Sequence, residues 1–82
     1  MMVICSIYDG LSEFHNTPMY FKTVGEAERF GSNLVNRENE SLVFTNPEDF
    51  KLIHLGTFDE RTGVLTPDYH VINNLSAYKR KE

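Results

Sequence analysis

The chain predicts a small α+β domain: a mainly antiparallel sheet packed against one main helix, ββαββ-like in order, with a short C-terminal helix. Three observations predict it. Residues 23–36 open on a T-x-x-E pair and carry apolar side chains at helical spacing. Residues 2–8 (MVICSIY) and 50–58 (FKLIHLGTF) are rich in β-branched, aromatic and other apolar residues, the composition of strands. Residues 59–63 (DERTG) then supply a tight reversal with glycine where positive φ is needed. With 82 residues the chain makes a single domain, 1–82.

The first strand ends at Asp9-Gly10, a turn signal. Residues 11–17 are polar around Phe14 and read as a loop. Residues 19–22 follow Pro18 as a second short strand, returning antiparallel beside the first. In the helix, Thr23 and Glu26 form a capping box, and Val24, Ala27, Phe30, Gly31, Leu34 and Val35 share the apolar face. Phe30 is expected in the core. Gly31 costs about 1 kcal/mol against alanine in a helix, so a close approach to a strand explains it. Residues 36–46 are a polar connection with Leu42, Val43 and Phe44 folded inward. Asn46 and Pro47 suit the cap and first position of a short helical turn.

Residues 50–58 are apolar on both faces: Phe50, Leu52, His54, Gly56 and Phe58 on one, Ile53 and Leu55 on the other. A strand of that kind is covered on both sides. One helix covers one face, so the second cover comes from the C-terminal segment or another chain. A homodimer is therefore expected. Residues 64–66 return as a short strand. After Pro67-Asp68, Val71, Ile72, Leu75 and Tyr78 have the spacing of a short amphipathic helix.

The net charge of −4 comes from 8 Lys and Arg against 12 Asp and Glu. Three of the basic residues, Lys79, Arg80 and Lys81, fall in the last four positions. They form a flexible basic tail at about 79–82, read either as a frayed solubilising terminus or as a local phosphate contact. Cys5 is the single cysteine and lies in an apolar run, which suits a buried free thiol in a reducing compartment. No segment approaches the roughly 20 apolar residues of a membrane helix, and no membrane partner is expected.

No constellation for catalysis is evident, and an enzyme is not expected. His15, His54 and His70 lack partners at i+3 or i+4 and there is no second cysteine, so no zinc site and no cofactor are expected. Asp59 and Glu60 lack the pattern of a calcium loop. The serines lie outside any G-x-S-x-G elbow, and phosphate-binding glycine loops are missing. Aromatic and basic residues do adjoin: Tyr20 with Lys22, Phe50 with Lys51, and Tyr78 before Lys79, Arg80 and Lys81. Rings flanked by Lys or Arg hold single strands without reading sequence. Tyr20, Lys22, Lys51, Tyr78, Lys79, Arg80 and Lys81 are thus the candidate nucleic-acid contacts, against the plainer reading that the rings belong to the core and sheet.

The chain also resembles a family, the small nonstructural protein of gokushoviruses, single-stranded DNA phages of the Microviridae. The resemblance runs from Ile4 to about Leu65. It is carried by SIYD at 6–9, P-x-Y-F-K at 18–22, G-E-A-x-R-F at 25–30 and N-P-E-D-F-x-L-x-x-L-G-T-F-D-x-x-T-G at 46–63. It implies a protein of the infected bacterium's cytoplasm, absent from the mature virion. It further implies binding to single-stranded DNA and help in turning genome replication toward packaging. The alternative is an adaptor that regulates phage replication or assembly proteins without touching DNA.

Overall fold

The computed structural model of the chain describes residues 1–36 and 46–80. The expectations for Leu42, Val43, Phe44 and Lys81 lie outside the described residues. The elements run β1 (Met2–Asp9), β2 (Phe14–His15), β3 (Met19–Phe21), α1 (Val24–Asn36), a 3-10 turn (Pro47–Asp49), β4 (Phe50–Phe58), β5 (Leu65–Asn74) and a second 3-10 turn (Leu75–Tyr78). All pairings are antiparallel. The sheet order is β2-β1-β4-β5, with β3 also on β1. The fold is the expected α+β, with one helix on a mainly antiparallel sheet.

The capping box forms. Thr23 Oγ1 accepts from the Glu26 amide at 3.1 Å. The Glu26 carboxylate reaches back to the amide of Lys22 at 2.9 Å, one residue beyond the usual partner. Asn46 caps its 3-10 turn through its backbone carbonyl, which accepts from Asp49, and not through its side chain. The segment expected to be all loop contains β2, whose Tyr8–His15 and Asp9–Phe14 pairs zip it to β1.

Three expectations are corrected. First, residues 67–74 are not a turn and helix. They continue β5 to Asn74, and only Leu75–Tyr78 is helical. Pro67 can sit inside the strand because β5 is an edge of the sheet, where a missing amide breaks no ladder. Second, Phe30 is not in the core. It is 37% exposed, its ring resting against Phe21 with centroids 5.7 Å apart. The helix instead turns its small residues inward, and Ala27, Gly31 and Val35 are its buried positions. Phe30→Ala should therefore cost about 1–2 kcal/mol in a urea melt, below the 3–5 of a fully buried ring. Third, the close approach at Gly31 is to the C-terminal turn and not to a strand. A Cβ there would lie 3.2 Å from a Leu75 methyl and 3.7 Å from the Tyr78 ring. The C-terminal turn thus packs on the helix side, while Tyr69 of β5 reaches His15 on the other face.

The core follows from this arrangement. Cys5 and Ile7 of β1, Phe50 and Leu52 of β4, Ala27 and Val35 of α1, and Leu75 cluster together. Burial pushes the Cys5 thiol up to about 11, so it stays protonated and inert at neutral pH.

Two turns share one construction. The Asp9 carboxylate accepts from the amides of Leu11 and Ser12, and its carbonyl from Glu13 at 2.8 Å. Asp59 repeats this with Arg61, Thr62 and Gly63. These amide bonds hold both carboxyls below their ordinary value. The fifth residue is left-handed in each, with φ 76° at Gly63 and φ 64° at Glu13. A glutamate there carries a conformational penalty that glycine avoids. Glu13→Gly is expected to raise stability by about 0.5–1 kcal/mol after glycine's own entropic cost. A lowered urea midpoint would mean that the Glu13 side chain holds the turn.

Candidate nucleic-acid interface

Alternation along the strands separates two faces, and ring contacts agree with it. Val3, Met19 and Phe21 pack on the core beneath α1. Their neighbours point away from the helix. On that open face lie Ile4, Ser6 and Tyr8 of β1 and Lys51 and Ile53 of β4, joined, against simple alternation, by Phe58, which the extra residue between His54 and Gly56 moves off the face of Phe50 and Leu52. β5 adds Leu65, Tyr69 and Val71, and the short strands add Tyr20 and His15. Tyr20 meets Phe58 edge-on at 6.4 Å, and His15 lies 4.8 Å from the Tyr8 ring. His15 also reaches across to Tyr69, Nε2 to hydroxyl 2.8 Å. Ser6 and Ile53, fully buried, lie in the strands between.

Two properties of this face matter chemically. It is apolar and wet, with Tyr20, Leu65 and Tyr69 all more than half exposed. Among the described residues, these strand positions include no carboxylate, although the chain as a whole is acidic. The described acids sit in the turns, on the helix and on the opposite face, so none of them repels phosphate from the platform at short range.

The candidate contacts divide between two places. Tyr20 and Lys51 are on the open face. They lie four β1 residues apart, level with Ile4 and Tyr8 respectively, so about 13 Å separates them along the sheet. Lys22 is exposed two residues after Tyr20, at the mouth of α1. The other described candidates are on the helix side. The Tyr78 ring packs on Gly31 and its hydroxyl donates to Glu28 at 2.9 Å. Burial, reinforced by that carboxylate, holds the phenol protonated well above its ordinary value. Lys79 Nζ donates to the Val35 carbonyl at 3.1 Å and the Arg80 amide to Asn36 at 2.8 Å, which dresses the end of α1. Tyr78 therefore cannot stack a base without leaving its seat. The structure does not bring Lys79 or Arg80 beside Tyr20.

Sequence reasoning missed Tyr8, Phe58 and Tyr69 as parts of the platform. Their shared face depends on strand register, and Tyr69 lies beyond the short strand expected at 64–66, in the part of β5 that the sequence pattern does not show. A mixed cleft of about 330 Å³ has Asp9, Ser12, Phe14, His15, Leu34 and Phe50 in its lining, with the Asp9 carboxylate accepting from the amides of Leu11 and Ser12. One grouping among the described residues could hold a metal ion: His54, Asp68 and His70.

The sequence model of one protein family, described as Phage ORF5 protein, matches residues 2–78. The chain belongs to the phage ORF5 protein family. The match spans every described element from β1 through the C-terminal turn. No curated protein matches the chain, and no solved structure does. No helix among the described residues of this phage protein is long and apolar enough to cross a membrane.

Proposed function

We propose that this phage ORF5 protein is a nonstructural, non-enzymatic protein of a gokushovirus-like single-stranded DNA phage. In this reading it acts in the host cytoplasm, stays out of the virion, and binds single-stranded DNA during the switch from genome replication to packaging. The observation that carries the reading is the open sheet face, aromatic, exposed and free of carboxylates at its strand positions. Tyr20 is the stacking platform, Phe58 supports its ring, and Lys22 and Lys51 meet the phosphates. Arg80, on the helix side, and Lys81 are left as accessory phosphate contacts.

Fluorescence anisotropy with a labelled mixed-sequence oligonucleotide tests the assignment. Tyr20→Ala should weaken binding by about 1–3 kcal/mol, the worth of one stacked base, with little change in salt dependence. Lys51→Glu should weaken it and flatten the salt slope. Unchanged isotherms for both variants would remove the face from the site.

A second reading draws on the same surface. Leu65 and Val71 are half-exposed apolar side chains on the open edge strand, and an isologous dimer or an assembly protein would cover them. This is the adaptor alternative, and a self-association that DNA does not compete with would favour it.

A further inference from the structure

We infer that His54, Asp68 and His70 form a binding site for a divalent transition-metal ion, zinc being the first choice, which clips β4 to β5. His54 is distant in sequence from Asp68 and His70, but the sheet brings them together. Asp68 and His70 are two apart on β5 and so share a face, and His54 is the direct cross-strand partner of His70. A register shift between His54 and Gly56 leaves β5 with an extra residue there, which draws Asp68 in toward the histidine pair.

The geometry is close to that of a ligand set. One ligand atom from each residue can be chosen so that all lie within 4.8 Å of one another. The Asp68 carboxylate is 3.6 Å from His70 Nδ1 and 4.0 Å from His54 Nδ1. Bond lengths of 2.0–2.2 Å in a tetrahedral zinc site place ligand atoms about 3.4 Å apart, so the carboxylate contacts need a few tenths of an ångström while the widest pair closes by up to about 1.4 Å, a movement the exposed Asp68 and His70 side chains can supply. The imidazoles stack with centroids 4.4 Å apart and planes 16° from parallel, so the exposed His70 ring has to turn for both in-plane lone pairs to meet one ion. His54 is 6% exposed and held in place, while Asp68 and His70 are open to solvent and give the ion a way in. Without metal, His54 Nδ1 donates to the Asp68 carbonyl at 2.7 Å. An ion at Nδ1 displaces that proton to Nε2 of the same ring, so loading releases no net proton from His54. Two imidazoles and one carboxylate suit zinc and its neighbours, not calcium or magnesium. Water completes the coordination, and the ion ties the strands together beside their bulge.

Isothermal titration of the chelator-treated protein with Zn²⁺ alone tests the site, with His70→Ala and Asp68→Asn as variants. Both side chains are exposed, so the variants keep the fold, which circular dichroism verifies. The expected result is one saturable zinc per chain, an affinity lowered at least about tenfold in each variant, and no change in a His15→Ala control. Thermal unfolding should shift upward with zinc in the wild type and in His15→Ala only. No heat of binding, or equal binding by wild type and both variants, would overturn the inference. The oligonucleotide assay is independent of this site, because the metal cluster lies on the face away from Tyr20.

Discussion

Gly56→Ala is expected to be among the most damaging single substitutions in the chain, lowering stability by about 3 kcal/mol. Gly56 lies in β4 between the register shift and the turn, paired with Ile4 on one side and Pro67 on the other. Its φ is 159°, but the steric surroundings decide the outcome. A Cβ would fall 2.3 Å from the Thr66 carbonyl oxygen and 3.2 Å from Pro67 Cα. Both are backbone atoms of a paired strand and cannot rotate aside as a side-chain tip can. The strand has to move, and the Ile4–Gly56–Pro67 pairing opens with it. At about 4–8 °C per kcal/mol for a domain this small, the thermal midpoint should fall by roughly 12–24 °C. A midpoint within a few degrees of wild type would mean that β5 slides at little cost.

Leu75→Ala should cost about 2–5 kcal/mol. Leu75 is fully buried, and a Cβ on Gly31 would touch its methyl group. Truncation leaves a void between α1 and the C-terminal turn that neither can close, since the turn is fixed on both sides. Asn74 accepts from the Ser76 amide, Asn36 donates to the Tyr78 carbonyl, and Tyr78 donates to Glu28. Urea unfolding followed by circular dichroism measures the loss. A cost below 1 kcal/mol would show that this turn is not part of the core.

These two residues show which parts of the fold were readable. The α1 cap, the stripe on that helix, β1, and β4 at its full length were legible because each depends on neighbours within one or two turns of chain. The rest depended on partners far away. The pattern Val71, Ile72, Leu75, Tyr78 fits a helix, but Ile53 and His54 across the ladder hold Val71 and His70 in a strand. Phe30 sits on the apolar stripe, yet Gly31 lets the C-terminal turn approach so closely that the helix rolls its large ring to the rim. Of the candidate site, Tyr20, Lys22 and Lys51 were legible as adjacent aromatic and basic residues. Tyr8, Phe58, Tyr69 and the His54–Asp68–His70 grouping needed the register of β4 and β5. Tyr78 and Lys79 had the right composition for a contact, but their hydrogen bonds to α1 commit them elsewhere.

The central claim is that the open face holds single-stranded DNA, and the salt dependence of wild-type affinity for an oligonucleotide tests it most directly. With two to four phosphates met by Lys22, Lys51 and the accessory basic residues, log affinity should fall with log salt at about −0.7 per phosphate, a slope near −1.4 to −2.8. Stacking on Tyr20 should leave measurable binding where the ionic part has faded. No binding at the lowest salt, with the protein folded, would contradict the claim and leave the open face to a protein partner.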